Sequence, residues 1–262
     1  MTTGAQDYPA GELARSAIVF SPHFDDETLG CGGLIIRKKR AGAAVKIVFM
    51  TDGSQSHPHL MPAEKLSAIR TDEGYAAGRA LGLESEDIIP LSFPEKRLGD
   101  HVETAIARVR SILAEHQPEE VYLPYAGEPL LWSADHRMTT HIVHRALADS
   151  SSPMSVFEYP IWCWYSLPWI DPSADGWKTR LIILRNSLGT AFGLRLAGDF
   201  RCAVNVGDVL VQKRRALEAH RSQMTPLIEN AGWPTLGDVS NGQFLACFFG
   251  QREFFRAVRR SA

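Results

Sequence analysis

Within His23-Phe24-Asp25-Asp26-Glu27, one imidazole and three carboxylates fall in five consecutive positions. His23 and Asp26 are three apart, so one turn can point both inward, and an imidazole nitrogen with a carboxylate oxygen suits a zinc ion. Asp25, between them, is placed to act as a base toward a metal-bound water. A plainer reading competes: acids in a first helical turn are favoured by the helix dipole whether or not they bind anything. The flanks favour chemistry. Ile18-Val19-Phe20 is apolar and stops at Ser21-Pro22, and Gly30-Cys31-Gly32-Gly33 leads into Leu34-Ile35-Ile36. That order reads as strand, tight loop, helix. The loop after a strand of an α/β sheet is where such folds bind ligands.

The elements that must position these residues follow in alternation. Residues 17–20 form a strand and 29–41 a helix with a basic end, Arg37-Lys38-Lys39-Arg40. Those cations complement the helix C-terminal dipole before Gly42. Residues 44–50 are almost continuously apolar, as in a strand buried on both faces. A polar loop with His57 and His59 follows, its histidines read as solvated. Pro62 opens a helix that Gly82 stops, and Arg70 and Glu73 on it can form a surface pair. Strands at 88–91, 121–124 and 155–159 alternate with a helix ending near His116, striped by Val102, Ile106, Val109 and Leu113, and one at 138–148. The pattern predicts an α/β, Rossmann-like, mostly parallel sheet with helices on both faces. His136, in the loop after the fourth strand, then lies at the same sheet edge as His23. His141 and His144 are read as ordinary helix residues.

The last third is expected to hold a small antiparallel edge, with strands at 178–185 and 198–206. A helix at 209–224 and a terminal helical segment at 244–258 follow. The aromatic run Trp162, Trp164, Tyr165, Trp169 and Trp177 fits a sugar-stacking lid, a partner surface or a hydrophobic flap over the core. Residues 1–15 read as a loose tail and 16–262 as one domain. The 262 residues are 45% hydrophobic with net charge −2, which argues against bulk attraction to nucleic acid or membranes. No apolar run is long enough to span a bilayer. Four scattered cysteines without a Cys-x-x-Cys pair suit reduced thiols of a cytoplasmic protein.

Ser21-Pro22-His23-Phe24-Asp25-Asp26-Glu27-Thr28-Leu29-Gly30-Cys31-Gly32-Gly33 resembles the signature of the PIG-L/LmbE-like zinc-dependent de-N-acetylases. Further similarities come in order: Thr51-Asp52-Gly53; Arg70 and Glu73 before Leu81-Gly82; Phe93-Pro94-Glu95; Asp135-His136-Arg137; and Lys213 with His220-Arg221-Ser222-Gln223. The resemblance implies zinc held by His23, Asp26 and His136, with Asp25 as general base. It implies that Arg70 and Glu95 bind substrate, and that Asp135 orients a catalytic imidazole. The family's His-x-Asp-His motif begins here with Ser133, so its oxyanion-stabilising imidazole is missing. His220 and His57 are the candidates to replace it.

The expected activity is zinc-dependent removal of an acetyl group from an N-acetylated amino sugar, free or in a glycoconjugate, polysaccharide or natural-product precursor. An amidase for thiol or sugar conjugates and a non-catalytic zinc- or sugar-binding relative are the alternatives. A dinucleotide site is disfavoured, because Gly30-Cys31-Gly32-Gly33 is not Gly-x-Gly-x-x-Gly and its acids would repel phosphate. Self-association into a homo-oligomer is left open.

Overall fold

A computed structural model describes residues 4–129, 134–148, 153–174 and 176–258. The chain runs β1 (Gln6–Asp7), β2 (Ala17–Ser21), α1 (Asp26–Arg40), β3 (Val45–Thr51), α2 (Ala63–Leu81), β4 (Ile88–Phe93), α3 (Val102–His116), β5 (Glu120–Pro124), α4 (Ala134–Ala148) and β6 (Ser155–Tyr159). It continues through α5 (Trp177–Gly189), α6 (Leu194–Asp199), β7 (Cys202–Asn205), α7 (Leu210–Ala219), α8 (Arg221–Met224), α9 (Gln243–Ala246) and β8 (Arg252–Val258).

The strands form one sheet in the order β1-β7-β8-β6-β5-β2-β3-β4. Strands β4, β3, β2, β5 and β6 are mutually parallel, whereas β8 runs antiparallel to both its neighbours, β6 and β7. The two-residue side-chain period of a strand divides the core into two layers. Ile18, Phe20, Val48, Met50, Val121 and Leu123 pack with residues of α3 and α4. Val19, Ile47, Phe49 and Tyr122 pack on the other side with residues of α1 and α7. Each such side chain, fully buried, contributes roughly 1.5–3 kcal/mol. The strand order reverses between β2 and β5, and such a switch point leaves a crevice at the strands' carboxyl ends. The loop after β2 and the first turn of α4, which follows β5, carry His23 and His136 to that crevice.

Several expectations are corrected. Residues 178–185 belong to helix α5, not a strand, and only 202–205 of the expected strand 198–206 is one. The expected terminal helix is a helical turn followed by β8, which forms the antiparallel part of the sheet. The expected helix 209–224 breaks at His220, whose φ of −76° and ψ of 61° leave the helical region. Asp135 and His136 sit in the first turn of α4 rather than in a loop. Ser133 lies outside the described residues. Part of the expected loose tail is held: β1 pairs with β7, and Tyr8 is buried with its hydroxyl donating to Glu120. Lys38, from the basic run, is buried too, 2.6 Å from Glu120. Cys163, Trp164 and Tyr165 are packed in the core, so the middle of the aromatic run is a structural flap.

Candidate metal centre

The turn after β2 is fixed before any ligand arrives. Ser21 Oγ donates to the His23 carbonyl at 2.7 Å, and the Thr51 hydroxyl and amide both donate to the Pro22 carbonyl. Asp25 occupies the position before α1 with φ 130° and ψ −31°, a conformation that L-residues rarely adopt and that costs about 1–3 kcal/mol. Its side chain makes no capping bond to the helix, which sets aside the plain helix-start reading for this residue. Its backbone holds the strain: the amide donates to Glu27 Oε2 at 2.9 Å and the carbonyl accepts from the amides of Thr28 and Leu29.

Asp26 lies between two imidazoles. Its Oδ2 is 3.1 Å from His23 Nδ1 and 3.3 Å from His136 Nε2. Donor atoms of these three residues all lie within 4.8 Å of one another. In a tetrahedral site with bonds of about 2.0–2.1 Å, ligand atoms are about 3.3 Å apart, so this set fits zinc. The orphaned imidazole supports the same fit. His136 is 0% exposed, yet neither of its ring nitrogens makes a hydrogen bond, and a buried group of that kind is otherwise paired. Asp135 Oδ2 faces the far nitrogen of His23, Nε2, at 3.3 Å and accepts the Lys96 amide at 2.7 Å. A carboxylate behind a ligating histidine fixes its ring and tautomer. Among the described residues, the imidazole that Asp135 orients is therefore His23.

The electrostatics match the geometry. Burial pushes the Asp25 carboxyl up to about 7, with Arg70 pulling against the rise and the Asp26 charge adding to it. Burial also opposes ionisation of Asp26, but His136 and His23 more than offset it and hold that carboxyl well below its usual range. Burial disfavours charge on His23, yet Asp135, Asp26 and Glu95 together raise it well above an ordinary histidine.

Arg70 and Glu73 are both buried rather than a surface pair. Arg70 reaches the Phe24 carbonyl, the Gly53 carbonyl at 3.3 Å and Asp25 Oδ2 at 3.5 Å, while its buried Nε has no partner. Gly53 makes room for it: at φ 66°, a Cβ there would sit 2.9 Å from Arg70 Cδ. Glu73 instead accepts the amide and hydroxyl of Ser222. Glu95 accepts the Gln55 amide at 2.7 Å and stands 4.0 Å from His23. His57, expected to be solvated, is buried, stacked on Trp233 with ring centroids 4.1 Å apart, and donates to the Pro234 carbonyl.

His220 is sealed from solvent, its Nε2 2.8 Å from Glu27 Oε1. Burial lowers the His220 pKa, but Glu27 raises it further, and Glu27 is lowered in turn, so the two form a buried ion pair. His220 thus reaches Asp25 through Glu27. The sequence alone leaves Glu27 either to the helix start or to a place behind the ligands, because its partner lies 193 residues away. Glu128 was missed altogether. It has no motif around it, yet it is buried, accepts the amides of Ile161 and Trp162, and is pushed up to about 7 by burial.

His23, Asp25, Asp26, Arg70, Glu95, Asp135 and His136 line a cavity of about 890 Å³. Ile161, Trp162, Tyr165, Val239 and Phe244 give it an apolar wall, with Trp162 stacked on Phe244 at 4.9 Å. The GlcNAc-PI de-N-acetylase (PIG-L) pattern matches residues 18–147, the span from β2 through α4 that holds all seven of these polar residues. The chain belongs to the PIG-L family.

Solved structures similar to this PIG-L family chain extend the likeness along its length. The N,N'-diacetylchitobiose deacetylase of Pyrococcus horikoshii, complexed with an inhibitor, has a TM-score of 0.67 at 20% identity, covering 96% of this chain and 87% of its own. A zinc-inhibited teicoplanin deacetylase has a TM-score of 0.63 at 19% identity, covering 94% and 98%. The 4-carboxy-2-hydroxymuconate hydratase of Pseudomonas putida has a TM-score of 0.59 at 15% identity, covering 95% and 98%. At these identities the likeness is one of fold, and the fold hosts a hydratase as well as deacetylases, so the reaction has to be read from the site. No protein of curated function matches the chain in sequence. None of its described helices is long and apolar enough to cross a membrane.

Proposed function

We propose that the chain hydrolyses the acetamide of an N-acetylated amino sugar, with zinc held by His23, Asp26 and His136. The observation that carries this reading is the convergence of Asp26 on two imidazoles, with a second, strained carboxylate beside it on the cavity wall. A zinc ion there supplies a Lewis acid and lowers the pKa of water toward about 7. The chain's own residues do the rest. Asp25 takes a proton from the attacking water and returns it to the departing nitrogen, so the amide C–N bond breaks to acetate and a free amine. Arg70 lines the cavity and its guanidinium donates to a substrate oxygen as negative charge develops there, the part of the imidazole that Ser133 replaces. Glu95 accepts hydrogen bonds from sugar hydroxyls, and Asp135 holds His23 in place. His220 acts through Glu27 on the Asp25 backbone.

The apolar wall supports a sugar joined to an aromatic or aliphatic group over a bare monosaccharide. The four thiols, all free, suit a reducing compartment, and we place the protein in the cytoplasm. Metal analysis tests the site: about one zinc per chain is expected. Acetate release from aryl and alkyl N-acetylglucosaminides tests the reaction. Wild type should release acetate, and Asp25→Asn should lose at least about a hundredfold in rate while zinc stays bound. Zinc-loaded wild type that released acetate from none of these conjugates would overturn the reading.

A further inference from the structure

Helix α5 turns an apolar face to solvent. Trp177, Leu181, Leu184 and Leu188 are 69%, 57%, 46% and 64% exposed, and Phe192 and Leu194 beyond the helix end are 49% and 77% exposed. The four helical positions follow i, i+4, i+7, i+11, which places them in one stripe. The stripe lies opposite the face that buries Ile183, Asn186 and Ser187, so the helix is anchored without it. By the same 100° step, Lys178 and Arg185 border one side of the stripe and Arg180 the other. Residues 177–194 hold three cations and no acid, leaving 25 Lys and Arg against 30 Asp and Glu in the rest of the chain. An exposed apolar stripe rimmed by cations on both sides is the pattern of a helix lying in the interface of an anionic bilayer.

We infer that α5 and the turn after it dock the protein on an anionic lipid bilayer, lying on it rather than crossing it. A second copy is the poorer occupant, because a two-fold pairing of this face would set each cationic rim against its own image. Thr179, on the same helix, lines the cavity, so the docking face and the cavity rim belong to one element. This inference stands apart from the reaction proposed above.

Co-sedimentation with phosphatidylglycerol-containing vesicles and with pure phosphatidylcholine vesicles tests it, alongside light scattering for oligomeric state. Wild type should sediment with the anionic vesicles, about tenfold less with the neutral ones, and less at high salt. The double variant Leu181→Glu, Leu188→Glu, at exposed positions outside the site, should keep its circular dichroism and lose anionic-vesicle binding by about tenfold or more. Lys178→Glu, Arg185→Glu should weaken binding in the same direction. Absence of wild-type binding to anionic vesicles, or unchanged binding of the leucine variant, would overturn the inference. So would a wild-type dimer that becomes monomeric in the leucine variant.

Discussion

Asp25 is strained in two ways: its backbone takes φ 130° and its carboxyl is kept from water. A carboxyl raised in the folded state above its unfolded value contributes stability below the unfolded pKa and loses it as pH rises through the folded one. For Asp25 that window runs from about 4 to about 7. Metal-free Asp25→Asn should therefore melt on the order of 5 °C higher than wild type at pH 8 and nearly level with it at pH 4.5, by calorimetry. His23 has the opposite use for its raised pKa. It must shed a proton to bind metal, so zinc affinity should rise with pH and binding should release protons. Titration calorimetry in two buffers of different ionisation enthalpy would register this. Equal heats in both would contradict it. The Glu27–His220 pair is buried on both sides, and His220→Ala leaves a lone carboxylate, a change that costs about 3–5 kcal/mol. His220→Ala should lower the melting temperature by on the order of 10 °C and slow turnover, with zinc still bound.

Among the elements, α1 is fastened in an unusual way. Glu253 of β8 accepts the amides of Gly33 and Leu34 and pairs with Lys213 Nζ at 2.8 Å, while Lys213 also donates to the Leu29 carbonyl. The glycines allow this closeness: a Cβ on Gly33 would sit 2.4 Å from Val206 Cγ1, and one on Gly30 would sit 2.3 Å from the Tyr159 ring. Glu253→Ala strands a buried cation, and a melting point lower by on the order of 10 °C is expected from thermal unfolding. The same pair explains why β8 was read as helix. A charged residue faces the core at Glu253, which breaks the apolar alternation that marks a strand. Helix α5 was read as a strand for a related reason. With Leu181 and Leu184 exposed and Ile182 and Ile183 turned inward between them, it loses the 3.6-residue period, and Leu-Ile-Ile-Leu looks like a continuous strand run. The five parallel strands were legible because all but the edge strand β4 are buried on both faces and each is cut by turn residues. His23, Asp25 and Asp26 were legible because they are neighbours in sequence. Glu27–His220 and Glu128 were not, since their meaning lies in contacts across the fold.

Across the whole molecule, β8 is, among the described residues, the only bridge in the sheet between the five parallel strands and the β7–β1 pair. Phe255 at its centre is fully buried and meets Tyr122 edge-on at 5.3 Å. Phe255→Ala should cost about 3–5 kcal/mol. Hydrogen exchange should then show the amides of β1, β7 and β8 losing protection together while β2, β3 and β5 keep theirs. Exchange that rose uniformly across the sheet would contradict that division. The order of synthesis adds a consequence. β6 presents a bare strand edge, and Lys213 lacks its counter-charge, until residues 252–258 have left the ribosome. A nascent chain paused before that point carries a templating edge of the kind that recruits other chains. Translation slowed before these codons should thus favour aggregation over folding, even where His23, Asp26 and His136 have long been made.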